Sequence, residues 1–256
     1  MYTFDFINFC VYGLFGKSSY NNAGYILTVS NASRKKIENI FGQTKPIKVI
    51  HNGLDEMFKP LDRRESQVYC KNKFTISENY ILCVSVLKPT KNIVGLLKAF
   101  KVYKDKYKGD LQLVIVGSKG WGYKHVERAY NELEFSKGEV VFLGYVEKDD
   151  LPKLYSGARF FVLLSLDEGF GFPVLEAMAC GTPVICSDIP ALREVGEDAV
   201  KYVCPTDPQV VAQAIHKIDG NDADIQARIE KGLKQASKFS WKKSNLEILD
   251  FMERLK

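Results

Sequence analysis

From residue 80 onward, short apolar runs alternate with segments of helical period, and this alternation restricts the chain to few folds. The runs cover residues 80–87, 111–116, 140–143, 159–164, 183–186 and 199–203, with glycines at 117, 144 and 169 closing or following three of them. Between them lie helical segments over residues 92–107, about 124–134 and 149–155; in the first, Ile93, Leu96, Leu97 and Phe100 fall on one face. Consecutive parallel strands need a crossover, and a helix is the usual one. The expected fold class is therefore α/β, a Rossmann-like parallel sheet with helices on both faces. Such sheets bind ligands beyond the carboxyl ends of their strands, near the point where the strand order reverses. Ahead of this region, strands are expected at residues 25–29 and 47–50, around a helix over 32–41 capped by Ser30 or Asn31. Behind it, residues 208–218, 222–237 and 241–255 each show an apolar helical face. A chain of 256 residues with 46% hydrophobic residues can bury a sizeable core.

The most informative strand end is LLSLDEGFGFPVLEAMA, residues 163–179. An apolar run passes through two carboxylates and two glycines into Pro173 and a helical stretch. Gly169 and Gly171 let backbone approach a ligand closely. Pro173 belongs in a first helical turn, where an N–H is dispensable. The amides of Val174 and Leu175 are then expected to stay free and to face an anion, with the helix dipole behind them. Glu168 and Glu176 would repel that anion but suit neutral hydroxyls as hydrogen-bond partners. Hydroxyls beside a phosphate describe a nucleotide sugar. Taken singly, Glu176 also reads as a helix N-terminal charge and Glu168 as a solvated loop residue.

The longer segment EGFGFPVLEAMACGTPVICSDIPALREV, residues 168–195, resembles the donor-site signature of the family 4 glycosyltransferases, which have the two-domain GT-B architecture. Glu168 and Glu176 match the two glutamates of that signature, with seven residues between them. The resemblance implies retaining transfer of a mannose- or glucose-type hexosyl group from a nucleoside diphosphate sugar to a glycan or lipid-linked acceptor, without a metal or other cofactor. By the same resemblance, Glu168 holds sugar hydroxyls with the amides around Gly169, Phe170 and Gly171. Val174 and Leu175 hold the distal phosphate, and Glu176 accepts from the ribose. Residues 85–92, SVLKPTKN, resemble the loop that grips the pyrophosphate, with Lys91 as its lysine. The arginines usual in that loop fall on Val86 and Thr90, and Lys88 lacks the planar fork that would replace them. Gly117 and the Tyr145–Val146 backbone lie near the base by resemblance.

Residues 28–60 resemble the crossing between the two domains. This divides the chain into a remnant of the acceptor-side domain over 1–55, a nucleotide-sugar-binding domain over 56–238, and a helix over 239–256 that packs back toward the N-terminal region. Most of the first domain is expected to be absent, either supplied by a second chain or lost from this one. A donor-binding module without turnover is the alternative, and a nucleotide-sugar epimerase a third reading.

The net charge of +5 is spread along the sequence and fits polyanionic ligands or an anionic membrane surface. No nucleic-acid module or basic-aromatic stripe appears. The 6 cysteines form no C-x-x-C pair, and with only 3 histidines no zinc site is expected, so a reducing cytoplasmic setting follows. The apolar segment over residues 4–15 is too short to span a bilayer and reads as an amphipathic or partner-facing helix. The acidic cluster at Asp219, Asn221, Asp222 and Asp224 lacks the calcium-loop spacing and reads as a capped turn.

Overall fold

Tyr80, Ile81, Leu82 and Cys83 are all buried to within 1% exposure, which a strand achieves only when both faces of its sheet are covered. The computed structural model describes residues 16–255; the helix expected over residues 4–15 lies outside them. Helical residues 16–22 (α1) precede β1 (Ile26–Thr28), α2 (Asn31–Phe41) and β2 (Ile47–Val49), and β1 and β2 pair in parallel as a small separate sheet. After α3 (Arg63–Phe74) the expected alternation begins. It runs β3 (Tyr80–Val84), α4 (Ile93–Tyr107), β4 (Gln112–Val116), α5 (Tyr123–Glu132), β5 (Val140–Gly144) and α6 (Leu151–Gly157). It continues through β6 (Phe160–Leu163), α7 (Phe172–Ala179), β7 (Val184–Ser187), α8 (Pro190–Gly196) and β8 (Lys201–Val203), then α9 (Pro208–Asp219), α10 (Asp222–Ala236) and α11 (Trp241–Glu253).

The large sheet has six strands in the order β5-β4-β3-β6-β7-β8, and every pairing is parallel. The chain moves outward from β3 on one side, returns, and moves outward from β6 on the other, so the order reverses between β3 and β6. The core divides accordingly. Ile81, Cys83, Leu96, Leu97 and Phe100 pack on one face of the sheet. Leu82, Leu163, Val174, Leu175 and Met178 pack on the other.

Two helices have no counterpart in the sequence reading, and both have local causes. α3 buries only Ser66 and Cys70, so it shows no broad apolar stripe. Its start is nevertheless encoded, because Asp62 accepts from the Glu65 amide at 2.8 Å in an Asp-x-x-Glu arrangement like a capping box. α8 is seven residues long and carries Pro190 in its first turn. The acidic cluster behaves as a capped turn: Asn221 caps α10 through the Asp224 amide at 3.0 Å, and Arg159 pairs with Asp222 at 2.6 Å.

α11 buries only Ser244, whose hydroxyl donates to the His51 carbonyl at 2.6 Å. Gly53 allows this approach, since a Cβ there would lie 2.0 Å from the Trp241 nitrogen. Among the described residues, no helix is long and apolar enough to cross a membrane.

Candidate functional site

α4 leaves β3 toward one face of the sheet and α7 leaves β6 toward the other, so the loops over residues 85–92 and 164–171 diverge from adjacent strand ends. That divergence forms a crevice. The Leu166 amide donates to the Thr90 carbonyl at 2.8 Å and fixes the two loops relative to each other. In the crevice the Lys91 Nζ donates to Glu168 Oε1 at 2.6 Å, and Ser165 Oγ donates to the same oxygen at 2.7 Å. The Lys91 and Glu168 side chains are 16% and 11% exposed, so neither is a solvated surface charge. Lys91 closes a short 3-10 turn (Pro89–Lys91), and Asn92, at φ 53°, caps α4 by accepting from the Gly95 amide. Val86 is 45% exposed. The Lys88 ammonium has no carboxylate partner among the described residues.

The start of α7 corrects one expectation. The amides of Val174 and Leu175 are not free; both donate to the Gly171 carbonyl, at 3.1 and 3.2 Å. Their side chains are fully buried in the core and anchor the helix. The open donors lie one step earlier, at Gly169, Phe170, Gly171 and Phe172, whose amides meet no acceptor among the described residues. The cause is the N-cap: Gly171 accepts from both following amides, and Pro173 has none to offer. Gly171 itself sits at φ 118°, and a Cβ there would lie 2.7 Å from Leu192. Phe170 is buried between His51 and Phe239, with ring centroids 6.1 and 5.8 Å away.

Glu176, just past the first turn of α7, accepts from the Tyr155 hydroxyl at 2.8 Å. Burial raises its carboxyl above the ordinary range; the Tyr155 hydrogen bond and the Lys148 charge pull it only part of the way back. Lys148 is in turn paired with Asp55 at 2.5 Å.

The ends of β3, β4 and β5 are laced together, and Gly117 is the knot. Its amide donates to the Gly144 carbonyl at 2.7 Å. At φ 140°, a Cβ on it would lie 1.9 Å from the Ser85 oxygen. Val146 packs into the core at 8% exposure, and its amide has no acceptor among the described residues. Both residues therefore have packing duties that the sequence reading did not assign.

Several neighbours of the site are absent from that reading. Ser30 caps α2 as expected, accepting from the Ser33 amide at 3.0 Å, but its hydroxyl also donates to the Gly169 carbonyl at 2.5 Å. Ser33 Oγ donates to the same carbonyl at 3.0 Å. Glu194 of α8 accepts from the Asn31 and Ala32 amides at 2.8 and 3.1 Å and pairs with His51 Nε2 at 2.7 Å. These partners lie more than 100 residues apart, and no local pattern announces them. Ser165, three residues before Glu168, had the only signal that spacing alone supplies. A cavity of about 240 Å³ is lined by α2, Asp167, Glu168 and residues 189–191, with Lys35, Lys36 and Asn39 on the α2 side. Among the described residues, no group of three or more His, Cys, Asp or Glu side chains is placed to hold a metal ion.

This fold recurs among solved structures. The sucrose-phosphate synthase of Thermosynechococcus elongatus superposes with TM-score 0.81 at 23% identity, over 94% of this chain and 60% of that one. An Anabaena protein, HepE, solved with UDP and glucose, superposes with TM-score 0.79 at 22% identity, over 90% of this chain and 63% of that one. Residues 70–235 match the family described as Glycosyl transferases group 1, and the chain belongs to that family. It is 33% identical over 237 residues to the Escherichia coli O-antigen chain mannosyltransferase B, covering 91% of this chain and 61% of the relative. It is 35% identical over 204 residues to the Salmonella typhimurium O-antigen chain mannosyltransferase RfbU, covering 79% of this chain and 53% of the relative. The chain thus spans between half and two thirds of the length of these relatives.

Proposed function

We propose that this chain supplies the donor site of a retaining hexosyltransferase of the family 4 type, which moves a mannose- or glucose-type residue from a nucleoside diphosphate sugar to a glycan or lipid-linked acceptor. The observation that carries the reading is the juxtaposition of the Lys91–Glu168 pair with the open amides of residues 169–172 at the switch point of the sheet. The names of the two bacterial relatives favour mannose.

In this reading the donor diphosphate lies against the amides before Pro173 and draws the Lys91 ammonium from Glu168. The freed carboxylate then accepts from hydroxyls of the sugar, and Glu176 accepts from the ribose. As the bond between the anomeric carbon and the diphosphate oxygen breaks, Lys91 and the start of the helix stabilise the negative charge that gathers on the leaving group. The acceptor oxygen bonds to the anomeric carbon from the same face, and its proton passes to the departing phosphate. Cation and amides together take the role a divalent ion would have, so transfer is expected to survive EDTA.

A second reading, donor binding without transfer, is favoured by the exposed Val86 where the resemblance expects an arginine. Calorimetric titration with a panel of nucleoside diphosphate sugars, followed by assays for released UDP or GDP in the presence of lipid-linked glycan acceptors, separates the two. Sugar transfer supports the first reading. Tight binding with no release under any acceptor condition supports the second, and no binding of any donor rejects both.

A further inference from the structure

Of the loop's two glycines, Gly169 is the less closely packed at Cα. The nearest atom to a Cβ built on it is the Ser33 hydroxyl, at 3.6 Å, so no packing fixes its peptide planes. They are fixed instead by hydrogen bonds from one side of α2. The hydroxyls of Ser30 and Ser33 donate to the Gly169 carbonyl at 2.5 and 3.0 Å. Lys36 Nζ donates to the Glu168 carbonyl at 3.1 Å and pairs with the Asp167 carboxylate. The spacing of three residues brings all three groups to the same flank of the helix.

Holding α2 in place does not require this arrangement, because Glu194 already grips the Asn31 and Ala32 amides. What the three donors add is direction. In a trans peptide unit the carbonyl oxygen and the amide hydrogen point opposite ways, and no cis bond occurs among the described residues. Drawing the Glu168 oxygen toward α2 therefore turns the Gly169 N–H away from α2. Drawing the Gly169 oxygen the same way does likewise for the Phe170 N–H. Both amides meet no acceptor among the described residues.

We infer that Ser30, Ser33 and Lys36 are positioning residues that, through the Glu168 and Gly169 carbonyls, aim two consecutive amides at the distal phosphate of the donor. The inference rests on the donor-site reading above and assigns part of its phosphate recognition to α2, an element outside the six-stranded sheet. Without the clamp, Gly169 would sample several orientations, and only a fraction of molecules would present both amides to the ligand.

The test uses Ser33→Ala, Lys36→Met and the two combined. Ser30 is left intact because it is fully buried and caps α2. Each protein is titrated calorimetrically with UMP, UDP, GMP and GDP. The combined variant is expected to bind the diphosphate of the preferred base roughly tenfold more weakly, as the loss of one or two hydrogen bonds implies. Binding of the matching monophosphate is expected to stay within about twofold, since it lacks the distal phosphate. Ser33→Thr, which keeps the hydroxyl, is expected to retain diphosphate affinity. Unchanged diphosphate binding in the combined variant, or equal losses for mono- and diphosphate, overturns the inference while leaving the donor-site reading intact. Wild-type protein that binds neither UDP nor GDP overturns both.

Discussion

Lys91 and Glu168 neutralise each other in the crevice, so substitution of either exposes what the other needs. In Lys91→Ala the Glu168 carboxylate keeps only the Ser165 hydroxyl at 2.7 Å and loses its cation. Removing one partner of a largely buried pair is worse than never having had it. We expect Lys91→Ala to slow transfer by about 100- to 1,000-fold, the usual loss when a charge-stabilising donor is removed. Donor affinity should change far less, and a kcat/KM split measured on saturating acceptor checks this. Glu176→Ala should show the opposite pattern, weakening UDP or GDP binding through the ribose; equal affinities for wild type and variant would reject that role. Gly117→Ala tests the scaffold. A methyl at φ 140° placed 1.9 Å from the Ser85 oxygen cannot be relieved by a rotamer change. We expect about 2 kcal/mol or more of destabilisation in urea unfolding, because the adjacent ends of β3 and β4 must separate.

At the scale of elements, the junction between α2 and α8 is a charge-dependent contact. Burial alone would raise the Glu194 carboxyl, but hydrogen bonds from the Asn31 amide, His51 and the Ala32 amide outweigh it and hold the group below the ordinary range. A carboxyl depressed in the folded state contributes stability above its unfolded pKa and loses that contribution as pH falls through the folded value. Glu194→Gln should therefore be less stable than wild type at neutral pH, and the gap should close as pH falls below about 4. Chemical denaturation at several pH values measures it; a constant gap would show that the charge is irrelevant. Elements also mark where sequence reasoning reached its limit. The strands, α4 and α7 were legible because their apolar periodicity is strong and the glycines punctuate it. α3 was not, because a helix that buries a serine and a cysteine leaves no stripe to read. The positions of the Glu168 and Glu176 loop and helix were legible from glycine and proline chemistry, whereas the free amides were misplaced by a few residues. Which residue caps a helix decides where its open donors lie, and Gly171 takes that place with no side-chain signal beyond its lack of a Cβ.

For the molecule as a whole, the unequal burial of its parts predicts an unequal response to ligand. β3 and β4 are buried almost throughout, whereas Ala32 is the only buried residue of α2, and β1 and β2 alternate between partly buried and exposed. Few apolar contacts and many exposed hydrogen bonds mean cheap local opening. Amides of α2 should therefore exchange with solvent well before those of β3 and β4. The clamp on Gly169 then makes a stronger demand. If α2 must be docked for the amides of residues 169 and 170 to hold the distal phosphate, every opening of α2 weakens binding, and ligand must suppress that opening. At a free ligand concentration about 100-fold above Kd, mass action slows such openings by up to about 100-fold. Openings that leave the site intact are not slowed at all. Hydrogen exchange of α2 measured with and without saturating UDP or GDP distinguishes the cases: protection of α2 that rises with ligand concentration means the helix and the donor mouth form one thermodynamic unit, and indifference of α2 to a ligand that demonstrably binds means they do not.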